Sequence, residues 1–213
     1  MVSLIIPATS SNKDYTDFAA QKIRELYPSK DEVEIIVEIN DNVSLGINYN
    51  NAVAKASGEV VVLMHNDMVP HPGFVETILK HITRKMVLVY QRVEPPIYND
   101  LYPGKVICDF GSDIKNYRED QFFSFEQEDT LIEGGSQLFF AVYKEDYLKI
   151  DGYTFQRFCE DDDVHLRYKL AGYECKVATA AMVYHFVSKT SRSDDYKKIE
   201  VESNLAFVRK WGF

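Results

Sequence analysis

The first 90 residues alternate between strand-like and helix-like segments, and this alternation limits the possible folds more than any other feature of the sequence. Short aliphatic runs predict buried strands at Val2–Ile6, Val33–Ile39, Val60–Met64 and Met86–Tyr90. Apolar residues at helical spacing predict helices between them, at residues 14–27, 47–56 and 72–82. Such alternation predicts an α/β fold with a mostly parallel central sheet and helices on both of its faces.

The rest of the chain is less regular. Residues 91–132 lack periodicity, which predicts a long surface excursion that forms part of a binding site. Strands are predicted at 138–143 and 175–184, and helices at 144–150, 161–171 and 196–211. The last helix is predicted to be amphipathic through Ile199, Leu205, Phe207 and Val208, after a polar, mobile loop that begins at 188. A length of 213 residues fits one domain, which could belong to a longer protein.

Composition excludes several functional classes. A formal charge of −9 disfavours nucleic acid as a partner, and a diphosphate substrate would need a local cation against the repulsion. No apolar run approaches the ~20 residues of a membrane helix, so no transmembrane segment is expected. Three cysteines without metal-site spacing predict free thiols in a reducing compartment, the cytoplasm.

Asp67 is the first residue that could carry chemistry. It follows an entirely apolar predicted strand in Met64-His65-Asn66-Asp67, and ligands of open α/β sheets collect at the carboxyl ends of strands. A hard divalent ion is commonly held by one carboxylate together with substrate phosphates. The competing interpretation is a turn or capping aspartate before Pro70.

A second candidate is the acidic run Glu160-Asp161-Asp162-Asp163, followed by Arg167. Acidic residues stabilise the first turn of a helix, and Asp163 and Arg167 are spaced to pair on a helix surface. A helix start also holds a carboxylate rigidly, as a general base aimed at a hydroxyl requires. Both interpretations stay open from these residues alone.

The remaining signals are weaker. His185 ends a predicted strand, where a lone histidine is more often structural than a ligand unless it lies beside Asp67. Gly134 and Gly135 allow a tight turn or a close approach of substrate. Lys189 and Arg192 lie in the polar loop and could close over phosphates.

In chain order these motifs resemble the family 2 glycosyltransferases of the GT-A fold, over about residues 2–187. Ser3-Leu4-Ile5-Ile6-Pro7 is similar to the family's opening strand, and the stretch to His65-Asn66-Asp67 is similar to the one that leads to its Asp-X-Asp motif. Glu160-Asp161-Asp162-Asp163 with Arg167 and Ala171-Gly172-Tyr173 resembles its Glu-Asp-X-Asp-X-X-X-Arg pattern and the residues that follow. The resemblance adds a smaller antiparallel, acceptor-side part to the predicted fold.

The resemblance implies an inverting, metal-dependent transfer of one sugar from a nucleotide-diphosphate sugar, most often a UDP-sugar, to a hydroxyl of a glycan or glycoprotein. Asp161 is then the base, and Asp67 holds Mn²⁺ or Mg²⁺ and the diphosphate with the help of His185. Implied donor-binding residues are Pro7, Ala8, Thr9, Glu38, Asp41, Asn51, His65, Asn66 and Asp67. Implied acceptor-binding residues are Gly134, Gly135 and Glu160. Residues 1–90 would form the nucleotide-binding half, and residues 91–187 the acceptor and catalytic half.

Several departures and alternatives bear on this expectation. His65 replaces the first acidic residue of Asp-X-Asp, and the usual base-binding aspartate has no clear equivalent, so Glu38 or Asp41 must substitute. The Gln-X-X-Arg-Trp motif of processive synthases is absent, which favours addition of single sugars. A capsid-glycan enzyme of a large DNA virus, acting in the host cytoplasm, fits the motifs. The alternatives are a sugar nucleotidyltransferase, disfavoured by a first loop without glycine, and a non-catalytic carbohydrate-binding module that uses the many aromatic residues.

Overall fold

The computed structural model describes residues 1–98, 101–134, 139–154, 159–187 and 195–212, with the backbone alone for 195–199. Within these ranges the chain forms a nine-stranded sheet with helices packed against it. The strands are β1 (Val2–Ala8), β2 (Val33–Ile39), β3 (Val60–Leu63), β4 (Met68–Pro70), β5 (Met86–Glu94), β6 (Lys105–Ile107), β7 (Leu131–Glu133), β8 (Phe140–Tyr143) and β9 (Glu174–His185). The helices are α1 (Lys13–Leu26), α2 (Leu45–Lys55), α3 (Phe74–His81), α4 (Glu119–Phe123), α5 (Lys144–Lys149), α6 (Glu160–Leu170) and α7 (Asp195–Trp211).

The sheet has the order β2-β1-β3-β8-β5-β9-β4, with β6 beside β5 and β7 beside β9. Strand β1 is parallel to β2 and β3, and β5 is parallel to β9. Strand β8 is antiparallel to both β3 and β5, so β1, β3, β5 and β9 all point the same way. The predicted α/β fold with a mostly parallel sheet is confirmed, and the carboxyl ends of these four strands share one edge.

Alternate residues of the central strands pack into two separate cores, one on each face of the sheet. One core includes Leu4 and Val62 and is covered by α1 and α3 through Ile23 and Phe74. The other includes Val61 and is covered by side chains of α2, α5 and α6. Burial on both faces explains why β1 and β3 are continuous apolar runs rather than alternating ones.

Strand β1 continues two residues beyond its predicted end at Ile6, through Pro7 to Ala8. The pairing of β1 with β3 ends at Ile5–Leu63, whereas the pairing with β2 continues through Pro7–Glu38. Pro7 therefore lies where β1 has a strand on one side only, a position that tolerates the missing amide proton. Pro7 and Ala8 are both buried at the edge toward which the parallel strands point.

The expectation that residues 91–132 form a surface excursion is only partly right: most of the described residues after 95 are exposed or half-buried, but the segment also contains regular structure and core side chains. Residues 91–94 complete β5 and are buried, and β6, α4 and β7 follow. Phe110 and Phe122 pack with Tyr184 and Phe186 in a third apolar cluster. Strands and loops that are distant in the sequence bury these residues. The local periodicity of the segment therefore does not reveal their burial.

The C-terminal helix lies where it was predicted, but its apolar side chains are not packed as expected. Leu205 and Val208 are 50% and 41% exposed. No helix in the described ranges has the length and hydrophobicity that crossing a membrane requires. No disulfide joins the three cysteines, all of which are described, and this agrees with the prediction of thiols.

Candidate active site at the carboxyl edge of the sheet

Two histidines and one aspartate converge at this edge, and His65, Asp67 and His185 together form the His–Asp–His cluster. His65 and Asp67 follow β3, and His185 ends β9. Strand β4 pairs with β9 through Met68–His185, and the Phe186 amide donates to the Asp67 carbonyl at 3.1 Å. These backbone contacts bring the ligand atoms of all three side chains within 4.8 Å of one another.

His185 is held between two carboxylates. Its Nε2 lies 3.3 Å from Oδ1 of Asp67, and its Nδ1 lies 2.8 Å from Oε1 of Glu94. Glu94 ends β5 and is also paired with two cations, Nη1 of Arg92 at 3.5 Å and Nζ of Lys105 at 3.3 Å. All five side chains are buried, so these charges are compensated by one another rather than by water.

This environment shifts the pKa values of the cluster in opposite directions. Burial lowers the pKa of His185, but Asp67 and Glu94 outweigh it and raise the pKa to about 9. Burial raises the pKa of Asp67, yet His185 outweighs that effect and the pKa lies below its ordinary value. Burial lowers the pKa of His65 to about 3, so its imidazole is neutral at physiological pH.

The donor set of the cluster fits a divalent cation. Nε2 of His65 is buried and has no hydrogen-bond partner in the part of the chain that the structure describes. Its ring packs edge-on against Phe139, with ring centroids 4.1 Å apart. A neutral imidazole with an unsatisfied nitrogen, a carboxylate and a second imidazole are the groups from which proteins build metal sites, and the ion would displace the Nε2 proton that His185 carries without it.

The acidic motif begins helix α6 and divides into two roles. Asp163 is fully buried and accepts hydrogen bonds from Thr154 Oγ1 at 2.8 Å, Arg167 Nε at 2.9 Å and Trp211 Nε1 at 3.1 Å. Asp163 therefore ties α6 to the segment before it and to the end of α7. The predicted pairing of Asp163 with Arg167 is confirmed, but the pair is buried rather than on the helix surface.

Asp161 is half-buried in the first turn of α6. Burial raises the pKa of Asp161 and repulsion from Asp162 raises it further, while Arg92 acts in the opposite direction. A carboxylate with a raised pKa in a partly desolvated position is suited to accept a proton.

Arg92 connects the acidic motif to the His–Asp–His cluster. Its charge acts on Asp161, on Glu94 and on His65. The guanidinium lies over the Phe139 ring at 4.9 Å from the centroid and donates to the Tyr102 hydroxyl. Asp161 and the cluster therefore lie within electrostatic range of one buried cation.

The predicted base-binding residues lie at the end of β1. Asp41 accepts a hydrogen bond from the Ser10 amide at 2.8 Å and another from the Ser10 hydroxyl, and these bonds lower its pKa. Asp41 is thus beside Thr9, whereas Glu38 is paired with Lys55 on α2. Of the two candidate substitutes for a base-binding aspartate, Asp41 is the one bonded to the loop after β1.

Other predicted site residues have structural contacts. Asn66 Nδ2 donates to Thr16 Oγ1 at 3.0 Å and so holds α1, while Asn51 is half-buried on α2. Gly134 donates its amide to the Cys175 carbonyl at 3.0 Å, and a Cβ there would lie 3.1 Å from β9 backbone. Glu160 is buried at the start of α6 and acts electrostatically on Tyr49, as Asp67 does. Gly135, Lys189 and Arg192 lie outside the described residues.

Sequence reasoning missed Arg92, Glu94 and Lys105. The predicted strand ended at Tyr90, where the apolar run stops. Residues 92 and 94 are two apart in a strand, so both side chains lie on one face, and opposite charges at that spacing are the signal that would have drawn attention to them. Asn50 was also missed: its Oδ1 accepts from the Tyr153 amide at 3.0 Å and the Tyr147 hydroxyl at 2.7 Å.

Known proteins share both sequence and fold features with this chain. A sequence model of the family described as Glycosyl transferase family 2 matches residues 5–147. A search of curated protein sequences gave no significant match.

Three solved structures of S. aureus TarS have a similar fold. A crystal structure of TarS has a TM-score of 0.59 and 13% identity, over 97% of this chain and 39% of that one. TarS 1-349 with UDP has a TM-score of 0.59 and 13% identity, over 86% and 59% of the two chains. TarS 1-349 with UDP-GlcNAc has a TM-score of 0.60 and 14% identity, over 97% and 66%. The chain spans between 39% and 66% of the length of these structures, and at such identities the likeness concerns the fold.

Proposed function

The chain belongs to glycosyl transferase family 2 and is a glycosyltransferase with a fold of the GT-A type, and on that premise we propose its reaction. It transfers one sugar from a UDP-sugar to a hydroxyl of a glycan or glycoprotein acceptor, with inversion at the anomeric carbon. A divalent ion, Mn²⁺ or Mg²⁺, assists the reaction. The observation that carries this proposal is the His–Asp–His cluster at the carboxyl edge of the sheet, together with the half-buried Asp161 in the first turn of α6.

Two observations support a uridine nucleotide as the leaving group. The TarS structures of similar fold were solved with UDP and with UDP-GlcNAc. In this chain Asp41 is bonded to Ser10, the neighbour of Thr9, just after β1, where an exposed carboxylate can accept hydrogen bonds from the imide and ribose groups of a nucleoside. Pro7 and Ala8 would border the base, with Asn51, His65 and Asn66 further along the donor side.

Asp161 acts as the general base in this proposal. Its carboxylate takes the proton of the acceptor hydroxyl while the hydroxyl oxygen attacks the anomeric carbon. The bond between that carbon and the phosphate oxygen breaks, and the nucleoside diphosphate leaves from the opposite face with the bonding electrons. One displacement of this kind inverts the anomeric configuration. Glu160 and the Gly134–Gly135 segment are assigned to the acceptor side.

Asp67 and His185 would hold the ion, and its charge would offset the negative charge that develops on the departing diphosphate. Arg92 is paired with Glu94, the second partner of His185, and contributes a permanent positive charge to the same region. The net charge of the chain is −9, so a local concentration of positive charge is needed for a diphosphate to bind.

The alternatives explain the structure less well. A nucleotidyltransferase is disfavoured by membership of the glycosyltransferase family. A carbohydrate-binding module would present aromatic rings to solvent, whereas Phe110, Phe122, Tyr184 and Phe186 are buried in the core. Within this proposal the halves 1–90 and 91–187 have the donor and the acceptor roles.

A thermal-shift panel tests the donor assignment. UDP or a UDP-sugar with Mn²⁺ is expected to raise the Tm, because a ligand at about 100 times its Kd stabilises the native state by ~2.7 kcal/mol. In a domain of this size that corresponds to roughly 5–10 °C. GDP and dTDP compounds, and UDP in EDTA, serve as controls and should give smaller shifts. If no nucleotide raises the Tm with Mn²⁺, the donor assignment is wrong.

A further inference from the structure

The His–Asp–His cluster offers two nitrogen ligands and one carboxylate, which differs from an all-oxygen site. We propose that His65 is a direct metal ligand and that the cluster selects a first-row transition ion such as Mn²⁺, Co²⁺ or Zn²⁺ over Mg²⁺. The inference deepens the proposed function, because it concerns the ion of the same site. It also assigns Glu94 as a positioning residue for His185.

The surroundings of His65 support its role as a ligand. Its Nε2 is buried and lacks a hydrogen-bond partner among the described residues, which is costly for a polar atom. The Phe139 ring, 4.1 Å away between centroids, restricts the orientation of the imidazole. One ring nitrogen of His65 lies within 4.8 Å of the ligand atoms of Asp67 and His185. An ion shared by the three groups would give this buried imidazole a partner.

The position of His185 is fixed from its other side. Nδ1 is 2.8 Å from Oε1 of Glu94, which leaves Nε2 directed to Asp67 at 3.3 Å. Arg92 and Lys105 hold Glu94 at 3.5 and 3.3 Å. A carboxylate that bonds the second nitrogen of a ligand histidine sets the tautomer and orientation of the ring, and its loss typically lowers metal affinity by roughly 10–100-fold.

Ligand chemistry decides which ion the cluster prefers. Mg²⁺ favours oxygen ligands in near-ideal octahedral geometry and gives up its water reluctantly. Imidazole nitrogen suits later transition ions, and affinities of mixed nitrogen and oxygen sites rise from Mn²⁺ through Co²⁺. Replacing His65 by aspartate would restore two carboxylates to the loop after β3 and should return the preference toward Mg²⁺.

Metal titration of the whole chain without nucleotide tests the inference. Calorimetry with Co²⁺ and with Mg²⁺, together with the visible absorption of bound Co²⁺, is compared for the parent chain, His65→Asp and Glu94→Gln. His65→Asp is expected to lower the ratio of the Co²⁺ affinity to the Mg²⁺ affinity by about tenfold or more. Glu94→Gln is expected to weaken Co²⁺ binding by about 10–100-fold. The control is His81→Asn. It removes a histidine of α3 that is paired with Asp129, and it should change neither the Co²⁺ affinity nor the Mg²⁺ affinity.

The outcomes separate this inference from the proposed function. Circular dichroism and the Tm show whether each variant is folded. His65→Asn provides a second, uncharged substitution, which should also reduce the preference for Co²⁺ over Mg²⁺. If the parent chain and folded His65→Asp prefer Co²⁺ over Mg²⁺ by the same factor, His65 is not a ligand. This holds even if UDP and Mn²⁺ raise the Tm. A lost preference in His65→Asp supports the assignment of His65 as a ligand, even if no nucleotide binds.

Discussion

Asp161→Asn is expected to lower the rate of UDP release from a UDP-sugar by about 10²–10⁴-fold, the range that a positioned general base contributes. An amide of the same shape cannot take the proton of the attacking hydroxyl, whether that hydroxyl belongs to an acceptor or to water. Donor affinity, measured by calorimetry with UDP and Mn²⁺, should stay nearly unchanged, because the assigned donor contacts lie on β1 and in the His–Asp–His cluster.

Asp162→Asn is the matched control, since Asp162 is the exposed neighbour in the same helical turn. It should keep most of the activity.

The pH dependence of the rate gives a second test. Burial and then repulsion from Asp162 raise the pKa of Asp161. As the pH drops, the rate should therefore begin to fall at a higher pH than it would with an ordinary aspartate. Removing the Asp162 charge lowers the pKa of Asp161 and should shift this acid limb to lower pH. Parent-like turnover by Asp161→Asn would remove Asp161 from the mechanism.

Asp67→Ala is expected to abolish the part of UDP binding that depends on Mn²⁺. Asp67 is the only carboxylate of the His–Asp–His cluster, so its loss removes a direct ligand. The loss of metal affinity should exceed the roughly 10–100-fold that follows when a residue bonded to a metal ligand is removed. Calorimetry with UDP, in the presence and absence of Mn²⁺, measures the metal-dependent part directly.

Two further variants show whether this loss is specific. Asp67→Asn keeps the shape of the side chain while removing its charge, and it should lose the same metal-dependent binding. Asp31→Ala, at an exposed position before β2, should bind UDP and Mn²⁺ as the parent does. Metal-dependent binding that persists in folded Asp67→Ala would place the ion elsewhere.

The architecture was largely predictable because β1 and β3 are mostly apolar and buried on both faces and the intervening helices have one apolar face. The insertion of β8 between β3 and β5 was not predictable. Phe140–Tyr143 is a short buried run like those of the parallel strands. The direction in which such a strand pairs depends on partners far away in the chain, such as Val61–Val142 and Leu88–Ala141.

The sequence located Asp67, His185 and Asp161 as candidates by motif order, and the structure places Asp67 beside His185. The sequence could not show that His65 lies with Asp67 and His185. The ends of the two strands that carry these three residues meet only through the pairing of β4 with β9. The network of Glu94 with Arg92 and Lys105 was missed for a related reason. The charged residues at the end of β5 can be buried because their opposite charges are paired. A hydrophobicity scale treats each residue separately and therefore predicts that they are exposed.

The most direct test of the proposed reaction is proton NMR of the sugar released from UDP-GlcNAc, which is linked to its nucleotide in the α configuration. With Mn²⁺ the parent chain should release the β anomer first, before mutarotation, because one displacement assisted by Asp161 inverts the anomeric carbon. The same experiment with Asp161→Asn should give little free sugar. Release of the α anomer first, or equal release by Asp161→Asn, would contradict the mechanism.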